Sequence, residues 1–201
     1  MTSATVDRSE FRHILQSGTI VGAVTAAAVV LFLLVSRVLP AGIVTSLLLM
    51  IIVLAAGVAA AFLPGFFAAS RTTQGVASAA AMGLWGTIVF MAIDIVLLRP
   101  FRAFPWTWDA VGGGSTWWYL PIWWMLGTFL AWMGGLHTAT RAARGTTSFS
   151  SLAAPVVIGA LVLAGIATVL HVPGRFHVLA GAGYVVTLAG LAVVSYARQA
   201  S

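Results

Sequence analysis

The sequence predicts an all-α fold, a polytopic integral membrane bundle of six transmembrane helices, and three observations carry that expectation. Six apolar stretches are each long enough to cross a bilayer, which takes about 20 mostly apolar residues. Hydrophobic residues make up 61% of the 201 and charged residues only 7%, a balance that water-soluble globules do not show. The runs also lack the period-two alternation of membrane β-strands, so a barrel does not compete.

The elements follow in chain order. Residues 1–16 form a polar arm carrying Asp7, Arg8, Glu10, Arg12 and His13. Asp7 and Glu10 have the spacing of a capping box, and Phe11, Ile14 and Leu15 then share one face. That pattern predicts a short interfacial helix leading into the first span. The first apolar run is too long for the core of a cleaved signal and is read as a retained span. The transmembrane domain covers 17–198, with spans over 17–38, 41–63, 75–98, 116–138, 152–171 and 178–197. Arg37 and Pro40 close the first. Pro64-Gly65 is expected to close the second, because proline breaks the hydrogen-bond ladder and glycine accepts reversed backbone. Arg99-Pro100, Arg141 with Arg144, Pro173-Gly174 and Arg198 end the others.

Charge sets an expected orientation and excludes some functions. The formal charge of +6 comes from ten arginines, since the chain has no lysine. They stand singly or in pairs at the ends of apolar runs, where they reach headgroups, so no nucleic-acid partner is expected. With the amino terminus inside, six arginines fall on the inner side and four on the outer. That bias favours both termini in the cytoplasm of a multi-pass cell-membrane protein. Without lysine there is no retinal Schiff base, and without cysteine no disulfide framework or thiolate metal site.

In lipid, helices associate through close van der Waals contact, which needs small side chains four residues apart. Gly18, Gly22 and Ala26 supply such a face on the first span, and Gly127, Ala131 and Gly135 on the fourth. Ala79, Gly83 and Thr87 repeat the pattern on the third. Packing within one bundle accounts for such faces more readily than self-association. Residues 52–67 also align without gaps on 161–176, both ending in Pro-Gly-x-Phe. Spans two and five run oppositely, as an inverted repeat of three plus three spans requires, but the other span pairs show no comparable match.

Candidate functional residues are few. Seven of eight tryptophans lie between Trp106 and Trp132, and the cluster comprises Trp106, Trp108, Trp117, Trp118, Tyr119, Trp123, Trp124 and Trp132. Its plain reading is an anchor at the membrane–water boundary. Its sharper reading is a surface for a quinone, pigment, isoprenoid or another subunit. Asp94 is the one acid inside a span, about a turn from its outer end. A local salt bridge to Arg99 or Arg102, or hydration near the headgroups, would satisfy it, and a proton or cation role is the alternative. His13, His137, His171 and His177 read as boundary histidines, and no metal set is visible. No nucleophile elbow, zinc-protease motif, P-loop or acidic cluster is present. No cofactor is identified by the sequence.

The leading functional expectation is a non-catalytic membrane subunit that packs against other membrane proteins or against bound lipid, pigment or quinone. A small-solute or ion transporter or channel is the alternative, with a lipid- or quinone-handling enzyme third.

Overall fold

A backbone without water must satisfy its own polar groups, and the α-helix does so within one segment. A computed structural model describes residues 11–98, 119–143, 145 and 148–200 and, among these, contains helices and no strands. They are α1 (Phe11–Val38), α2 (Ile43–Phe67), α3 (Thr73–Ile93), α4 (Tyr119–Ala142), α5 (Phe149–Val169) and α6 (Phe176–Ala200). A single π-helical turn, Asp94–Leu98, extends α3. Three of the hydroxyls inside the helices bond back to the preceding turn: Thr87 to Gly83 O at 2.8 Å, Thr138 to Gly134 O at 2.8 Å and Thr168 to Ala164 O at 2.8 Å. At these positions threonine enters an apolar helix without an unmet hydroxyl. Thr72 caps α3 by accepting from Gly75 N, and Ser148 caps α5 by accepting from Ser151 N.

Helix directions follow from residue pairs across the interfaces. Ala79 faces Gly135, Gly83 faces Ala131, Thr87 faces Gly127 and Phe90 stacks on Trp123, so α3 and α4 are antiparallel. Gly134 meets Ala61 and Gly65 meets Thr138, which makes α2 and α4 parallel. Gly57 against Tyr184 and Val53 beside Gly181 make α2 and α6 parallel as well. Gly159 meets Thr187 and Gly183 meets Ala160, so α5 opposes α6, while Gly18 and Gly22 run along Trp85, Gly86 and Val89 with α1 parallel to α3. Direction alternates at every helix. The starts of α1, α3 and α5 therefore share one end of the bundle with the ends of α2, α4 and α6. At that end the His13 imidazole lies 3.1 Å from Phe67 O.

The main core joins α2, α4, α5 and α6. Leu152, Val156, Ala160 and Ala164 form one row of α5, and Ala180, Tyr184, Leu188 and Ala192 form one row of α6. A smaller cluster of Ala26, Phe90 and Met91 ties α1 to α3. Among the described residues five helices are long and apolar enough to cross a membrane: α1, α2, α3 with its π-turn, α5 and α6. The 24 residues of α4 extend about 36 Å at 1.5 Å per residue.

Two expectations are corrected. Pro64-Gly65 does not close the second span, because α2 runs on to Phe67 with Pro64 inside its last turns. The stop comes from a Schellman turn, in which Ser70 N bonds Gly65 O at 2.9 Å and Ala69 N bonds Phe66 O at 3.2 Å. Ala69 occupies the left-handed position, with φ 49°. An equivalent turn ends α5, where Val172 N bonds Ala167 O and His171 has φ 56°. The aligned Pro-Gly pairs thus hold inequivalent places, one within α2 and one beyond the end of α5. Neighbours differ too: α1 packs broadly on α2, whereas α4 scarcely touches α5, so the two halves do not repeat each other. Of the arm, residues 11–16 are the first turns of α1, and residues 1–10 lie outside the described residues.

Candidate functional site

The small-residue faces lie where helices come closest. A Cβ placed on Gly18 would sit 2.9 Å from Met82 O, and one on Gly22 would sit 2.5 Å from Gly86 O. On Gly127 it would collide with Thr87 Oγ1, and on Gly135 it would lie 3.3 Å from Ala79 Cβ. All four glycines therefore face a neighbouring helix of the same chain. The α5–α6 rows serve the same purpose, and sequence reading passed over them. Their signal, alanines four apart in Ala160–Ala164 and in the Ala180–Leu188–Ala192 row, is common in any apolar helix.

The aromatic cluster divides. Trp106, Trp108, Trp117 and Trp118 lie outside the described residues, and Tyr119 begins α4. Trp123 turns toward α3 and meets Phe90 edge to face, with centroids 5.8 Å apart. Trp124 is 40% exposed and Trp132 47% exposed on the outer surface of α4. The described tryptophans therefore do not form one platform. Trp85, outside the cluster, links two helices by donating from Nε1 to Thr19 Oγ1 at 3.1 Å.

Asp94 is 2% exposed, so a hydrated carboxylate at the headgroups is overturned. It opens the π-helical turn, and the next three residues, Ile95, Val96 and Leu97, are exposed. A π-turn beside a buried acid is a common setting for function, and no local sequence cue announces it. Arg99 and Arg102, its expected partners, lie outside the described residues.

Two histidines near helix ends are buried within the bundle. His137 is 1% exposed beneath Phe62, their ring centroids 6.1 Å apart, and neither ring nitrogen has a hydrogen-bond partner among the described residues. His177 is buried against Phe32, edge to face at 5.5 Å. His171 serves the turn after α5. Among the described residues no three His, Asp or Glu side chains converge on one point.

One concavity was not foreseen. A groove of about 650 Å³ opens on the side of the bundle between α3 and α6, with α4 as its floor. Met133, Leu136 and Thr140 line the floor, Val76 and Ala77 one wall, and Val193 and Tyr196 the other. Trp132 stands within it, and Arg71, Thr72 and Thr73 lie at the end where the helices turn. Its residues come from three segments far apart in the chain, so no motif could reveal it. A cavity of about 60 Å³ between α1, α3 and α4 is the interior counterpart, only enough for a few waters. Arg71 also borders a cavity of about 190 Å³ beside Phe62, Ser70 and Phe149.

The arginines complete the electrostatics. Arg12, Arg71, Arg141 and Arg198 lie toward the end of the bundle shared by the start of α1 and the end of α6, and Arg37 and Arg175 toward the other. Every charged residue described at the first end is cationic. The site is thus amphipathic: an apolar trough on the side of the bundle, with a guanidinium at its mouth. Comparisons with protein-family models, with characterised proteins and with solved structures returned no match.

Proposed function

We propose that this chain is a non-catalytic integral membrane subunit that crosses the cell membrane six times and holds a lipophilic partner in the groove between α3 and α6. The groove is the observation that carries the reading. It opens sideways, where molecules dissolved in the bilayer arrive, and it is walled by apolar side chains with an aromatic and a cation at fixed places. The sixth crossing is supported by direction: α3 and α5 point the same way, so the chain between them must return, and α4 is the returning helix. Both termini then share a face, and the arginine excess on that face supports a cytoplasmic assignment. Other membrane subunits are partners on this reading and nucleic acid is not.

The test is native purification in mild detergent, with identification of the lipophilic molecules and proteins that accompany the chain. Ala77 is an exposed wall residue, so Ala77→Trp fills the groove without entering the core. It should remove what the native chain carries. An unchanged set of companions would refute the groove as the binding site.

A specific observation favours a second reading, a small transporter. A buried acid at a π-turn is a natural proton or cation site. On that reading the chain would work alone after reconstitution, and Asp94→Asn would change its flux. Flux untouched by that variant removes Asp94 from the mechanism.

A further inference from the structure

We infer that the occupant of the groove is an anionic phospholipid, its headgroup at Arg71 and an acyl chain along Trp132, Met133 and Val193; this rests on the groove being the binding site proposed above. Three observations combine. First, the trough is graded along the bundle axis, with Arg71, Thr72 and Thr73 at the mouth and Val76, Met133 and Leu136 deeper. A phospholipid has the same gradient, with a charged phosphate at the interface and hydrocarbon below it. Second, Arg71 makes no hydrogen bond or ion pair with another described residue. A guanidinium offers five donors in a planar fork that suits phosphate oxygens. Third, Arg71 brings a full positive charge to the mouth, with Arg12 at the same end of the bundle. A zwitterionic lipid carries its own cation into that field, and a lipid with net negative charge does not. Selectivity for the anionic headgroup follows from the field, and retention follows from the trough.

Trp132 and Tyr196 suit the same occupant. Tyr196, 60% exposed, borders the groove toward its mouth, where amphipathic rings sit best, and Trp132, 47% exposed, lies deeper along the path of the acyl chain. Thr140, 3% exposed, donates to His137 O at 2.9 Å and keeps its lone pairs for a further donor.

The experiment is native mass spectrometry of the full chain in mild detergent with equimolar dioleoyl phosphatidylglycerol or dioleoyl phosphatidylcholine. The phosphatidylglycerol should be retained about fivefold better, the ratio that one basic residue near an anionic surface contributes. Arg71→Gln should bring it down to the phosphatidylcholine level, Arg71→Lys should keep most of the preference, and Arg37→Gln at the opposite end should leave it unchanged. Circular dichroism of each variant establishes that the helices persist. Equal retention of the two lipids by the native chain, or Arg71→Gln without effect, overturns the inference. Displacement of the lipid by excess inorganic phosphate would also overturn it, assigning the arginine to a soluble anion. If Ala77→Trp expels both lipids while neither is preferred, the groove stands and only the headgroup assignment fails. If Ala77→Trp expels neither, the groove reading itself fails.

Discussion

Gly83 is a position where adding one methyl group should be costly. It lies on α3 against α4, and a Cβ there would overlap Ala131 Cβ and stand 2.6 Å from Gly127 O, against about 3.4 Å for ordinary contact. Neither obstacle is the tip of a flexible side chain, so no rotamer change relieves it. The helices would have to part by almost 1 Å. Yet α3 is held on its other side by α1, where a Cβ on Gly86 would stand only 3.0 Å from Gly18 O. Overpacking of this kind costs about 1–3 kcal/mol, roughly a 5- to 150-fold shift in the folding equilibrium. Gly165→Ala is the control, because a Cβ there meets nothing within 4 Å. Alanine's better helix propensity makes that change neutral or stabilising by up to about 1 kcal/mol. The assay is a dodecyl sulfate titration in mixed micelles followed by circular dichroism. Coincident midpoints for Gly83→Ala and Gly165→Ala would show that close backbone approach does not hold α3 against α4.

Three further outcomes are expected in the same assay. Ala69→Gly and His171→Gly should each stabilise by about 1 kcal/mol, since both replace a side chain at a left-handed helix end, and a loss would show that these side chains contribute contacts outweighing the strain. His137→Leu should stabilise by about 1–2 kcal/mol, because it removes two buried ring nitrogens without partners among the described residues; destabilisation would mean that the imidazole meets a group not described. Thr19→Val should cost about 0.6–1.5 kcal/mol by stripping the Trp85 indole of its acceptor between α1 and α3, with Thr25→Val, whose hydroxyl bonds only Val21 O within its own helix, as the milder comparison.

The alignment of 52–67 with 161–176 shows how sequence similarity can mislead in an apolar chain. Residue types are few, so segments match without sharing a place in the fold. One Pro-Gly pair rides inside the end of α2 while the other follows α5, and the actual stops are made by Ala69 and His171, neither of which looks like a terminator. The Schellman bonds that hold them are backbone bonds, invisible in side-chain identity. Asp94 is similar: its presence in a span was legible, but its burial depends on where the π-turn aims it.

Sequence alone determined that the chain is helical and belongs in lipid, because hydrocarbon leaves an unpaired backbone no cheaper solution and because long uncharged runs suit no other solvent. It also singled out Gly18, Gly22, Gly127 and Gly135, each of which faces a neighbouring helix of the chain. Tertiary structure decided which faces meet, how Trp123 and Trp132 came to look in opposite directions, and that α3 and α6 stand apart over α4. That gap is a relation among three helices. Burial and openness arise from the arrangement of whole segments, and a linear pattern of apolar residues carries no record of it.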